Sequence, residues 1–306
     1  MGGRGGLAMS AKNRRRRPPP TRKSPDPGRV SKSRRPPGRV TGKVDGRPDR
    51  AGSGPPKGVG GEQIEGRQAV RELLMAGTRR INELLVSADA DDRPILEEIL
   101  ELARSRRVPV REVSRGKLRD QARTESPQGV LAKAAPLHDH EVIDLCKPVG
   151  GRPPFLLALD GVTDPGNLGA LLRTAECAGV TGVILPRHRA ANVTPAVAKA
   201  SAGAIEHLRI AMVGGLPTAL STLADAHVWT LGFDAGGGHG LFDPLAAMKD
   251  AVCVVMGAEG AGLSRLVRER CDEIVSIPLA GHLDSLNVST AGALALFEVV
   301  RARSAS

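Results

Sequence analysis

Residues 273–300 read EIVSIPLAGHLDSLNVSTAGALALFEVV. The β-branched run at 274–277 predicts a buried strand, Pro278 ends it, and residues 288–300 predict a helix. A polar loop therefore joins a strand to a helix N-terminus. That loop sets Ser285, Leu286 and Asn287 where backbone N–H groups lie open at the helix start. Ser and Asn are common N-caps, so these residues can serve the helix alone or hold a polar ligand.

The region before this stretch repeats one pattern from Phe155 onward. FLLALDGV is a nearly continuous apolar strand, DPGNLGALLRTAECAGV a turn and helix, and GVILP a further strand. TPAVAKASAGAIEHL reads as one helix, LRIAMV as a strand, LPTALSTLADA as a helix and VWTLGF as a strand, with the loop GGGHG before the strand AVCVVMG. Continuous apolar strands alternating with helices predict an α/β fold with a parallel sheet covered on both faces. In such sheets ligands bind at the carboxyl ends of the strands.

The front of the chain is of two kinds. Residues 1–60 hold 17 Lys/Arg against 3 Asp/Glu, in runs such as RRRRPPP with no periodicity that could bury a face, and read as a disordered basic tail. Residues 61–306 hold 27 Lys/Arg against 30 Asp/Glu, so the formal charge of +11 belongs to the tail. A phosphate polymer is the natural partner of such an arm. A small α/β domain follows over 61–137. GEQIEGRQAVRELLMAG places Ile64, Val70, Leu73 and Leu74 at helical spacing with Gly77 closing the helix. INELLVSA, VPVREV and QGVLAKA read as strands, and ILEEILELARSRR as a helix with Ile95, Ile99 and Leu102 on one face. The Gly/Pro-rich segment 138–154 reads as a linker, and 155–304 as the second domain.

Composition narrows the chemistry. Cys146, Cys177, Cys253 and Cys271 form no CxxC pair and no zinc spacing, and predict reduced, mostly buried thiols of a cytoplasmic protein; His138 and His140 alone do not make a metal site. No apolar run approaches the roughly 18 residues of a membrane helix, and no secretory signal is expected. With one Trp, four Phe and no Tyr, stacking platforms for single-stranded bases are scarce, so RNA contacts would rest on phosphates, ribose hydroxyls and base edges.

Two further loops carry charged residues to the ends of strands. In DGVTDPGNLGALLRTAECAGV, Asp164-Pro165-Gly166 predicts a turn, Asn167 a helix cap, and Arg173 and Glu176 share a helix face. A guanidinium there can clamp a phosphate with two N–H groups, or form a surface ion pair with Glu176. In GAEGAGLSRLVRERCD, Gly257, Gly260 and Gly262 permit a tight turn against a ligand, and Glu259 is the one charge among them. The loop does not match GxGxxG and follows a late strand, which argues against a nicotinamide enzyme.

Together, DxVxDPxNLGALLRTAExxGV, VMGAEGxGLSRL and VSIPLxGxLDSLNVSTAGALALFEV resemble, in order, the SpoU/TrmH branch of the SPOUT RNA ribose 2′-O-methyltransferases. GRQAVREL and QGV at the two ends of the front domain resemble the ribosomal-protein-L30e-like RNA-binding domain, a pairing similar to the bacterial 23S rRNA guanosine methyltransferases. The resemblance implies a SPOUT domain with a deep trefoil knot, an exception to the rule against threading. It also implies S-adenosylmethionine as cofactor, RNA as substrate with neither DNA nor membrane as partner, and a homodimer with active sites at its interface. Carried onto matching positions, it makes Asn167, Arg173, Glu259, Ser285 and Asn287 active-site residues and Gly257, Ile277 and Leu286 cofactor contacts. No metal is implied, because a sulfonium leaves as a neutral thioether.

The reaction sets the roles. A ribose 2′-hydroxyl must lose its proton as it attacks the methyl in line, which needs alignment and a proton acceptor. A guanidinium is a poor unassisted base. The expectation is therefore that Arg173 holds the target phosphate and ribose, with that phosphate or a transiently neutral Arg173 taking the proton. Asn167 and Glu259 would orient Arg173, and Ser285 and Asn287 would position the nucleotide. The alternatives are a tRNA or rRNA-adenosine ribose methyltransferase, or a non-catalytic ribosome-assembly protein; the intact polar set argues against the last.

Overall fold

The structure, a computed structural model, describes residues 59–90, 94–188, 192–243 and 246–304. All fall in one compact unit running from Gly52 to Ser306. The basic tail read over 1–60 lies outside the described residues except at its end. There Val59 is buried and donates its N–H to Leu137 O at 3.1 Å, and Gly60 bridges to Val193, so the folded body begins before residue 61.

The first seven elements are β1 (Gln63–Glu65), α1 (Arg67–Ala76), β2 (Ile81–Ser87), α2 (Pro94–Ser105), β3 (Val110–Val113), α3 (Arg115–Gln121) and β4 (Val130–Ala134). They build a four-stranded sheet in the order β1-β4-β2-β3, antiparallel except for β2 with β3. Ile64 is buried as expected but lies in a strand, not in the first helix. Its neighbours pair with Lys133 and Leu131, and Gly66 at φ 93° breaks the chain before α1 starts. A lone apolar residue beside a glycine gives no periodicity to separate the two. Gly77 does end α1, in the left-handed region, with its N–H on Leu73 O. The buried stripe of α2 is Leu96, Ile99 and Ala103, while Ile95 and Leu102 flank it half-buried.

The segment 138–154, read as a linker, is packed. It carries α4 (Val142–Leu145), whose Leu145 is fully buried, and Asp139 bridges to Ile210 at a sheet edge. The remaining elements are β5 (Phe155–Leu159), α5 (Pro165–Cys177), β6 (Gly182–Pro186), α6 (Pro195–Ala200), β7 (Ile210–Val213), α7 (Leu216–Asp225), β8 (Trp229–Phe233), β9 (His239–Gly240), β10 (Val252–Met256), α8 (Arg265–Arg268), β11 (Glu273–Ser276) and α9 (Val288–Ser304).

Their seven strands form one sheet in the order β7-β6-β5-β10-β8-β11-β9, with every pairing parallel. The two-residue strand β9 lies in the glycine-rich loop, too short to show a period. The helix expected over TPAVAKASAGAIEHL is interrupted: Ala202 and Gly203 take positive φ, and a 3-10 turn follows at Ala204–Glu206. The interruption is a matter of room, since a Cβ on Gly203 would fall 2.6 Å from Glu72 Cβ.

Two contacts fix the frame of the site. Arg79 from the first sheet's layer forms a bidentate pair with Glu206, Nη2 to Oε1 at 2.6 Å and Nε to Oε2 at 3.0 Å, and its Nη1 donates to Gly61 O and Ala135 O. Helix α9 lies close against α5, because Gly292 offers no side chain where a Cβ would meet Leu171 Cδ2 at 2.3 Å. The N-termini of α5 and α9 are thereby brought to one end of the sheet. All four cysteines are free, but of the expected buried thiols only Cys253 is fully buried; Cys177 is exposed.

Candidate active site

Helix α5 starts at a strand's carboxyl end through a cap other than the expected one. Asp164, not Asn167, is the N-cap: its Oδ1 accepts the Asn167 N–H at 2.7 Å, and Pro165 fills the first helical position. Asn167 therefore keeps its side-chain amide for other partners. Its Nδ2 donates to Glu259 Oε2 at 3.2 Å, and its Oδ1 accepts from Asn287 Nδ2 at 2.9 Å. The first turn of α5 and two loops, whose residues lie 92 and 120 positions from Asn167, meet in this chain of polar groups.

Asn287 serves both readings of its loop. Its Oδ1 accepts the backbone N–H groups of Ser289 at 2.9 Å and Thr290 at 3.4 Å, capping α9, while its Nδ2 reaches Asn167. Glu259, the lone charge of the glycine loop, is thus partnered by a neutral amide. The loop itself is closed by paired backbone bonds, Ala258 N to Gly262 O at 3.0 Å and Gly262 N to Ala258 O at 2.9 Å. Gly260 and Gly262 have φ of 75° and 65°, and a Cβ on Gly257 would lie 2.2 Å from Gly262 C. Here glycine is required twice, for backbone hand and for space.

Beneath the loop lies a cleft of about 580 Å³ at the carboxyl ends of β8, β10 and β11. Gly257, Glu259, Ile277, Ser285 and Leu286 all line it, with Phe233 and Asp234 opposite. Leu279, Leu283 and Leu286 are exposed along the loop after β11, Leu283 at 81%. Among the described residues the Ser285 hydroxyl donates only to neighbouring Asp284, at 3.4 Å.

Two acids of this site were missed by reading the sequence. Asp160 Oδ2 accepts the Ser264 N–H at 2.7 Å, tying the end of the glycine loop to β5. Asp234 accepts N–H groups from Leu263 at 3.2 Å and Gly236 at 3.4 Å and pairs with Arg268 at 3.0 Å. Burial raises the Asp234 carboxyl, but these donors outweigh it and hold the group below the ordinary aspartate range. Both acids directly follow a predicted strand, in FLLALD and VWTLGFD, and that shared position was the available signal.

Arg173 stands apart. It is exposed on α5, its side chain makes no hydrogen bond or ion pair among the described residues, and the alternative surface pair with Glu176 is not formed. Six residues of helix set it about 9 Å along the axis from Asn167 and on another face. The contacts by which Asn167 and Glu259 were expected to orient it are not made among the described residues; they orient each other.

Comparison with known proteins bears on this arrangement. Residues 154–297 match the SpoU rRNA Methylase family, and residues 63–140 match RNA 2'-O ribose methyltransferase substrate binding. The chain is 38% identical over 248 residues to the 23S rRNA (guanosine-2'-O-)-methyltransferase RlmB of Photobacterium profundum, covering 79% of this chain and 98% of the relative. It is 37% identical to RlmB of Escherichia coli, covering 79% and 99%. Among solved structures it is similar to the SpoU methyltransferase AviRb of Streptomyces viridochromogenes in complex with AdoMet, with TM-score 0.68, 25% identity, and 80% and 91% of the two chains covered. The AdoMet-bound rRNA methyltransferase of Sinorhizobium meliloti is similar at TM-score 0.64 and 27% identity, over 78% and 86%.

Proposed function

The chain belongs to the SpoU rRNA methylase family, and from that premise we propose that it methylates the ribose 2′-hydroxyl of a guanosine in 23S rRNA. The observation that carries this reading is the meeting of Asn167, Glu259 and Asn287 on the rim of a cleft lined by Gly257, Ile277 and Leu286.

The cleft fits S-adenosylmethionine. Its volume lies within the roughly 300–1,000 Å³ of small-molecule sites. Because Gly257 has no room for a side chain, main chain forms the cradle there, and the exposed Leu279, Leu283 and Leu286 offer apolar cover. Gly257, Ile277 and Leu286 would hold the cofactor, which supplies a methyl group on a sulfonium. Everything else falls to the chain's own groups. The linked amides of Asn167 and Asn287 hold donors and acceptors at fixed positions beside the nucleotide, Glu259 fixes the turn of the Asn167 amide, and Ser285 faces the same space. Arg173, unpaired among the described residues, is available to a substrate phosphate, which would take the hydroxyl proton directly or through the guanidinium.

The same reading makes the enzyme a cytoplasmic homodimer with Arg173 at the shared interface. Leu294 and Phe297, one turn apart on α9 and 40% and 49% exposed, support a face that a second copy covers. It also gives the four-stranded sheet the L30e-like RNA-binding role, and the carboxyl end a knot. The position of β11 between β8 and β9 supports that threading.

The test is to incubate the protein with labelled S-adenosylmethionine and unmodified 23S rRNA or tRNA and map alkali-resistant linkages. One guanosine in 23S rRNA is expected. Label confined to tRNA would overturn the substrate, and label in neither RNA nor ribosome precursors would overturn the reaction.

A further inference from the structure

The cleft beneath the glycine loop is acidic. Asp234, Glu259 and Asp284 line it, no lysine or arginine does so among the described residues, and His282 is its one basic side chain. The three carboxylates are not equivalent. Asp234 is paired with Arg268 at 3.0 Å and accepts the N–H groups of Gly236 and Leu263, so its charge is balanced within the chain. Glu259 has a neutral amide for a partner, Asn167 Nδ2 at 3.2 Å. Asp284 is exposed, and among the described residues its side chain accepts only the Ser285 hydroxyl, at 3.4 Å. Two carboxylates therefore line the cleft without an ion pair among the described residues.

The setting of Asp284 strengthens its charge. It lies between Leu283 and Ser285 in the loop after β11, and Leu283 and Leu286 are exposed leucines lining the same cleft. A ligand lying against those leucines excludes water beside the carboxylate. The lower local dielectric then raises its attraction for positive charge.

The proposed reaction changes the charge of what the cleft holds. Passing the methyl group from a sulfonium to a ribose oxygen leaves the S–C bonding pair on sulfur, and the hydroxyl proton goes to the phosphate acceptor already described. A ligand with one net positive charge becomes a neutral thioether. We infer that Asp284, with Glu259, makes the cleft charge-selective, so that it takes up the cationic sulfonium and releases the neutral thioether product. The inference deepens the proposed function and rests on its reading of this cleft as the cofactor site. Because positive charge on sulfur shrinks as the methyl leaves, a carboxylate here favours the bound cofactor over the transition state. Asp284 thus aids turnover by clearing product, not by speeding the transfer.

The test is equilibrium binding to the full chain by calorimetry, with three ligands. S-adenosylmethionine and sinefungin carry the extra positive charge, and S-adenosylhomocysteine does not. Asp284→Asn removes the carboxylate charge at nearly constant shape, and Asp284→Glu keeps it. Asp225→Asn removes an equal charge at the end of α7, which leads to the amino end of β8, whereas the cleft lies at that strand's carboxyl end. Wild type is expected to bind both cations at least about tenfold more tightly than the neutral product. Asp284→Asn should narrow that preference about three- to tenfold, weakening the two cations and leaving the neutral product within about twofold. Asp284→Glu should keep most of the preference and Asp225→Asn all of it, while raising salt from about 0.05 to about 0.5 M should narrow it in wild type. In single turnover at saturating cofactor and RNA, Asp284→Asn should transfer methyl at the wild-type rate or faster, which a merely damaged loop would not allow.

Equal weakening of cationic and neutral ligands in Asp284→Asn would overturn charge selection and make Asp284 a structural part of its loop. An unchanged preference in that variant would overturn it too, and with cofactor bound and RNA methylated would leave the function standing. A wild-type cleft that binds neither the cofactor nor its product would bring down the reading of the site, and this inference with it.

Discussion

Asn287 donates its side-chain N–H to Asn167 Oδ1 at 2.9 Å, while its own oxygen caps α9. One residue thus holds up a helix with one atom and joins two loops with another. Asn287→Asp separates the duties, since a carboxylate still caps but cannot donate. Stability should stay within about 1 kcal/mol of wild type. Methyl transfer should fall by about 10- to 100-fold, from the lost donor and from the new charge near Glu259. Thermal unfolding and single-turnover kinetics check the two halves; wild-type turnover would remove Asn287 from the site.

Arg173 is exposed and unpaired among the described residues, so Arg173→Lys should leave folding and cofactor affinity unchanged. A lysine keeps the charge but loses the fork that grips two phosphate oxygens. A loss of about 100-fold in kcat/KM is expected, measured by labelled-methyl transfer. Turnover near wild type would defeat the bidentate grip.

Asp234 provides the pH signature. Its carboxyl is held below the ordinary aspartate range, so the stability it contributes is present above that range and is lost as pH falls through its lower native value. Asp234→Asn should therefore be less stable than wild type at neutral pH, with the gap closing on acidification. Urea denaturation across pH 3–7, a range of about four units spanning carboxylate titration, reads it. The same variant loses the pair with Arg268 and loosens the glycine loop, so cofactor affinity should fall about tenfold at pH 7.

The buried pair of Arg79 and Glu206, whose side chains are 6% and 0% exposed, joins the two sheets' layers. Arg79→Met leaves a buried carboxylate uncompensated and should cost about 3–5 kcal/mol. Adding Glu206→Leu should restore part of that. Chemical denaturation of the single and double variants is the measurement, and equal stability of the two would show that the charges do not act as a pair.

Cysteine chemistry gives a check on burial. The Cys271 thiol is pushed up to about 12 by burial and by Asp272 and Asp160, and full burial raises the Cys253 thiol well above its ordinary range. Neither should react with iodoacetamide in the native protein near pH 8, where a free thiol of pKa about 8.5 is partly ionised. Exposed Cys177 should be labelled first, although burial and Glu176 raise it too.

How much of this was legible follows from where each signal lives. Strand and helix periods, the Gly77 stop, the all-parallel register of the large sheet and the three polar loops are properties of short segments. Backbone geometry fixes their spacing whatever lies nearby. Cap assignment failed within the same span, because Asp164 and Asn167 are both good caps and only the turn's geometry selects one.

The sequence by itself determined that this chain folds as a parallel α/β enzyme carrying Asn167, Glu259 and Asn287 on segments that follow strand ends. The tertiary structure alone decided that these three meet one another while Arg173 turns away. It alone set Asp160 and Asp234 to hold the glycine loop, and it packed residues 138–154 against the sheet. The reason is physical: periodicity is written in neighbouring residues, but loop partners depend on strand order. Placing β11 between β8 and β9, and α9 hard against α5 at Gly292, is settled by packing between segments far apart in the chain.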